Sequence, residues 1–158
     1  VLDYLTKDDR YEVHLILHSF EDNNTNIADN DLVPAKILHE EYKKTVLSPL
    51  FDSCIDAKNY IAGMDILIGA RMHATIGAFS AGVAVIPFAY SRKFQGLFNS
   101  LEYQYIIDAK SITTEIAVEN TLEWIKEEKI LKDNMKIGKQ LIDKKIQIFK
   151  DELSNLMD

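Results

Sequence analysis

Three short apolar runs, each followed by a stretch of helical periodicity, constrain this chain more than anything else in it. They are EVHLILH at residues 12–18, DILIG at residues 65–69 and VAVIPF at residues 83–88. Each is rich in aliphatic or β-branched residues with almost no polar alternation, the mark of a strand covered on both faces. Strands of that kind alternating with helices predict a doubly wound, parallel α/β sheet with helices on both faces, a Rossmann-like domain. A fourth run, YIID at residues 105–108, predicts a short edge strand.

The helices between the strands carry start and stop signals. Asp31 is placed to cap a helix bearing Ala35, Leu38 and Tyr42, with Pro34 tolerated in its first turn. The polar stretch 19–31 before it predicts a loop. Ser53 or Asp52 caps a second helix through Ile55, Tyr60 and Ile61, ended by Gly63. Residues 70–81 are small and apolar enough to pack closely on a sheet, and Gly82 ends that helix. Residues 92–101 predict another. In the tail, Val118, Leu122 and Ile125 share a helical face alongside Trp124. Beyond a break predicted near Asp133, Ile142, Ile146, Phe149, Leu153 and Leu156 recur at spacings of four and three. That seam either packs on the protein's own sheet or meets another domain or chain. The whole reads as one Rossmann-like domain over residues 1–158, with residues 114–158 as a C-terminal helical extension.

Bulk properties remove several function classes. A formal charge of -7 disfavours nucleic acid and anionic membrane as partners, so a bound anion needs a local cationic pocket. The single cysteine, Cys54, excludes an internal disulfide or a multi-cysteine zinc site. It reads as a packed thiol in a reducing, cytoplasmic setting. No apolar run approaches a membrane span. The chain begins with Val1 rather than methionine, which predicts a piece of something longer.

In an open parallel sheet, ligands bind beyond the carboxyl ends of the strands. After DILIG the chain reads Gly69-Ala70-Arg71-Met72-His73 and enters a helix. Gly69 permits a tight turn, and a helix N-terminus offers N–H groups to an anion. Arg71 can grip a carboxylate or phosphate with two parallel hydrogen bonds. His73 can donate a proton near neutral pH, and both side chains reach this end if the first turn is not yet helical. After VAVIPF come Tyr90, Ser91, Arg92 and Lys93: a hydroxyl and two cations at a helix start. His18, with Glu21 and Asp22, marks the end of the first strand and is a second polar contact or a capped loop. His14 and His39 read as structural.

These residues resemble the polysaccharide pyruvyl transferase family. The resemblance runs through Ala57-Lys58, Ile61-Ala62-Gly63, Asp65 and Ile68-Gly69-Ala70-Arg71-Met72-His73-Ala74. It continues through Ser80-Ala81-Gly82-Val83 and Ala89-Tyr90-Ser91-Arg92-Lys93-Phe94-Gln95-Gly96, spanning roughly residues 49–103. It implies the C-terminal half of a two-domain enzyme of the glycosyltransferase-B type, with its site in the cleft towards a missing N-terminal domain. It further implies phosphoenolpyruvate as donor substrate and a saccharide acceptor, with pyruvate delivered as a ketal to a cell-surface polysaccharide. By the same resemblance Arg71 and Lys93 hold the donor's carboxylate and phosphate. Ser91, Tyr90, Gly69 and His18 line the site, and His73 is the general acid. Neither cofactor nor metal is implied, because arginine, lysine and backbone dipoles can neutralise the leaving phosphate. Two alternatives stay open. One is a nucleotide-sugar glycosyltransferase of the same architecture, with Glu21, Asp22 or Asp108 on the ribose. The other is a non-catalytic interaction module.

Overall fold

The structure is a computed structural model that describes residues 1–19 and 30–157. The chain divides into two units, Val1–Ala57 and Lys58–Asp158. It is a mixed α/β protein whose strands pair in parallel within two small sheets.

The first unit opens with a single turn, α1 (Leu2–Leu5), and continues to strand β1 (Val13–Leu15). The apolar run at 12–18 therefore forms a ladder only at its centre. Its partner is β2 (Thr45–Leu47), in parallel register with Val13 opposite Thr45 and Leu15 opposite Leu47. The sequence pattern does not reveal β2. Thr45-Val46-Leu47 is too short to show a period, and what makes it a strand is the distant β1. Between them runs α2 (Leu32–Glu41), tied to β2 by His39, whose Nδ1 lies 3.1 Å from Thr45 Oγ1. Asp31 occupies the N-cap of α2 but makes no capping bond, because its backbone is already helical. The cap is Asn30, whose Oδ1 accepts from Leu32 N at 3.0 Å. Asp31 instead turns its carboxylate back to accept from the backbone of His18 and Ser19. Of the loop predicted over residues 19–31, residues 20–29, with Glu21 and Asp22, lie outside the described residues.

Helix α3 (Cys54–Ala62) is capped by Ser53 rather than Asp52. Ser53 Oγ accepts from Asp56 N at 3.2 Å and donates to Asp56 Oδ2 at 2.6 Å, a reciprocal arrangement at the helix start. Cys54, the first helical residue, points to solvent and is exposed, so it is not the packed thiol its isolation predicts.

In the second unit β3 (Ile66–Gly69), β4 (Ala84–Ala89) and β5 (Ile107–Asp108) form one sheet in the order β3-β4-β5. Ile66 lies opposite Ala84, Gly69 opposite Pro87, and Ala89 opposite Asp108. All three strands run the same way, so their carboxyl ends share one edge of the sheet. Strand β4 is almost entirely buried, with Ala84, Val85 and Ile86 fully inaccessible. Helix α4 (Met72–Ala81) crosses from β3 to β4 and ends at Gly82, which adopts φ 84°. That left-handed conformation closes the helix, as a glycine does best. Helix α5 (Arg92–Asn99) follows β4 and buries Phe94 and Phe98 in a cluster with Phe79 and Tyr103. The hydroxyl of Tyr103 donates to Val85 O at 2.5 Å inside that core. Burial pushes its pKa well above the ordinary value of 10.0.

Helices α6 (Thr114–Lys126) and α7 (Glu128–Met157) complete the unit. Trp124 on α6 meets Tyr105 edge-on, ring centres 5.3 Å apart. The break between the helices falls at Glu127, not near Asp133. Asp133 sits inside α7 and pairs with Lys136 one turn on. The reason for the earlier break is packing. Ile125 and Leu131 are both buried, yet six positions apart on one straight helix they would face about 120° away from each other. Leu131, Met135 and Gly138 then carry α7 down onto the unit. A Cβ on Gly138 would lie 2.8 Å from Phe79 Cζ and 3.1 Å from Leu101 O, so the backbone itself is the contact.

Candidate active site

The carboxyl edge of the second sheet gathers most of the residues that the sequence singles out. Arg71 is the N-cap of α4, in extended conformation (φ -77°, ψ 108°), and its own side chain makes no capping hydrogen bond. The first helical hydrogen bond runs from Thr75 N to Arg71 O at 3.1 Å. The N–H groups of Met72, His73 and Ala74 therefore have no acceptor within the helix. His73 lies in the first helical turn and is exposed. The condition set by the sequence is met by Arg71 alone, since His73 is already helical.

The neighbouring strand repeats the arrangement. Ser91 is the N-cap of α5, again extended (φ -140°, ψ 151°), and its Oγ accepts from Phe94 N at 3.2 Å. Lys93 holds the position in α5 that His73 holds in α4, second residue after the cap. Arg92 and Lys93 are both exposed, and neither Lys93 nor His73 enters an ion pair among the described residues. The cap uses one lone pair of Ser91 and leaves the hydroxyl hydrogen available to donate. Tyr90 is 53% exposed and lies edge-on to Phe94. Two helix N-termini thus open side by side at the ends of paired strands, each with a polar cap residue and a proton-bearing side chain in its first turn. Such an edge favours an anion through N–H groups, aligned dipoles and full charges together.

Gly69 departs from expectation. It closes β3 in register with Pro87, its φ is not positive, and a Cβ would meet nothing nearer than Thr75 Cγ2 at 3.9 Å. The backbone does not need a glycine to turn there. Gln95 is a residue the sequence reading missed. Its amide donates to Asp108 Oδ2 at 3.3 Å and fastens α5 to β5. Asp108 also accepts from Ser111 Oγ at 2.7 Å and from Lys110 N at 3.1 Å. These bonds, that from Ser111 foremost, lower its pKa. The Asp-x-x-Ser spacing of that turn is the local signal that Asp108 is spoken for. Of the acids named for a ribose contact, Asp108 is therefore committed to structure, while Glu21 and Asp22 fall outside the described residues.

His18 belongs to the first unit. It follows β1, half-buried, with its backbone N–H held 3.2 Å from Asp31 Oδ2. Among the described residues no group of three or more His, Cys, Asp or Glu could hold a metal ion. Among the described residues no helix is long and apolar enough to cross a membrane.

Comparison with protein families decides the class. Residues 1–92 match the family described as polysaccharide pyruvyl transferase, which is more than half of the chain. The chain belongs to that family. A search of curated proteins finds no match, and a search of solved structures finds none. The pyruvyl transferase match takes in β1 to β4, the whole of α4 and the cap residue Ser91, and stops one residue short of Lys93.

Proposed function

We propose that this chain carries the donor-binding part of a pyruvyl transferase that moves pyruvate from phosphoenolpyruvate onto two hydroxyls of a cell-surface saccharide. The observation that supports the reading is the doubled helix-start edge, Arg71 and His73 on one helix and Ser91 and Lys93 on the next, in a chain of this family. Phosphoenolpyruvate has two anionic groups, a carboxylate and a phosphate. Arg71 holds one and Lys93 the other, with the Ser91 hydroxyl and the open N–H groups of α4 and α5 sharing the charge. Tyr90 walls the site. Gly69 leaves room for the donor against the end of β3.

His73, as imidazolium, gives its proton to the methylene carbon of the donor. The adjacent carbon becomes electron-poor, a sugar hydroxyl adds to it, and a second hydroxyl displaces phosphate to close the ketal. The doubly wound, glycosyltransferase-B-like assembly, with a further domain supplying the acceptor side, belongs to this proposal.

Thermal unfolding of the chain with millimolar phosphoenolpyruvate, inorganic phosphate or uridine diphosphate tests the reading. A ligand held only by the folded state raises the midpoint, by about 2.7 kcal/mol of stability at a hundred times its dissociation constant. The expected result is a shift with phosphoenolpyruvate that exceeds the shift with phosphate and is lost in Arg71→Ala. A larger shift with uridine diphosphate would favour a nucleotide-sugar donor instead. In a turnover assay of the full enzyme, His73→Asn is expected to lower kcat by about 100-fold or more. Unchanged turnover would remove the general-acid role.

A further inference from the structure

We propose that the C-terminal half of α7 is a self-association surface, on which this chain pairs antiparallel with the same segment of a second copy. The helix changes character along its length. Its first half is fastened to the second unit by Leu131 (0% exposed), Met135 (4%) and the close approach at Gly138. Beyond Ile142 the apolar side chains face solvent: Ile146 is 46% exposed, Phe149 64%, Leu153 46% and Leu156 84%. Ile142, Ile146, Phe149, Leu153 and Leu156 follow alternating steps of four and three, the heptad spacing of a two-helix seam.

The charges that flank the seam choose the partner and its direction. With Ile146, Phe149 and their repeats as the seam, the flanking positions are Asp143 and Lys150 on one side and Lys145 and Glu152 on the other. Two copies laid antiparallel, with Ile146 against Phe149 of the second copy, also bring Ile142 against its Leu153. That alignment sets Asp143 opposite Lys150 and Lys145 opposite Glu152, and twofold symmetry repeats both pairs. A parallel pairing sets Lys145 opposite Lys150, like charge against like. The surface is thus complementary to itself in one orientation only. Lys145 donates one of its three hydrogens to Ser100 O at 3.0 Å, which leaves two for Glu152 of the second copy. Because the first half of α7 is already held in the fold, the helix need not form on association, which removes much of the cost for so short a seam.

Sedimentation equilibrium of this chain between about 1 and about 100 μM tests the proposal. The expected result is a concentration-dependent dimer that Phe149→Glu abolishes while the far-ultraviolet circular dichroism stays unchanged. Lys150→Glu places like charges opposite Asp143 twice in the antiparallel dimer, so it should weaken association on the order of tenfold. Adding Asp143→Lys to that variant should restore it. A monomer at every concentration would overturn the proposal, as would a dimer indifferent to Phe149→Glu. A dimer tightened by Lys150→Glu would mean parallel pairing and would overturn it too.

Discussion

Gly69 and Gly82 look alike in sequence, each closing an apolar element, yet only one of them is required by the backbone. Gly82 adopts φ 84° and nothing crowds it, so the cost of a side chain there is the strain of the left-handed region. Gly69 is ordinary strand with space for a methyl group. Gly69→Ala is therefore expected to change stability by less than about 0.5 kcal/mol. Under the proposed function it should nonetheless shrink the midpoint shift with phosphoenolpyruvate, because the donor lies against that strand end. Paired melts with and without ligand check both halves of the statement. At this scale much was legible. Ser53 and Ser91 announce helix starts through short-range hydrogen bonding, which a sequence displays directly. Cys54 and Asp31 were misread because their surroundings depend on which way a side chain turns at a helix start, and spacing does not carry that.

Elements were legible where their pattern is local and long, as in β3, β4 and α4. They were not legible where a partner elsewhere creates them. Thr45–Leu47 is a strand because β1 offers it a ladder, and the Glu127 break exists because two buried residues on either side need the same core. Gly138 shows the same dependence on distant atoms. In an isolated helix, replacing glycine by alanine gains about 1 kcal/mol. Here the added methyl would press on the ring of Phe79, itself locked edge-on against Phe98 and Tyr103, and on a backbone carbonyl. Overpacking of this kind costs roughly 1–3 kcal/mol, so the steric term wins. Gly138→Ala should lower stability, measured as a fall in the denaturation midpoint, by up to about 2 kcal/mol once both effects are counted.

At the scale of the molecule, the parallel α/β character was legible from three apolar runs, and the division into two units was not. Tyr103 links one buried hydroxyl to the stability of its unit. Its pKa is raised in the fold, so the unfolded chain releases the proton first as pH rises past the ordinary value of 10.0. Its contribution is fully present below that value and is lost above it, because the unfolded state then binds fewer protons than the native one. The melting midpoint should fall between about pH 9 and about pH 11 more steeply in the wild type than in Tyr103→Phe. That variant should also lose about 1–2 kcal/mol near neutrality through the missing hydrogen bond to Val85 O. Equal slopes in the two proteins would show that other groups govern the alkaline limb.

The chain has one tryptophan, and it is Trp124, packed on Tyr105 within the second unit. Indole emission therefore reports on the packing of Lys58–Asp158. Far-ultraviolet ellipticity samples both units at once. Coincident fluorescence and ellipticity curves would mean that the two units melt as one cooperative body, and a gap between them would be the spectral signature of the first unit alone.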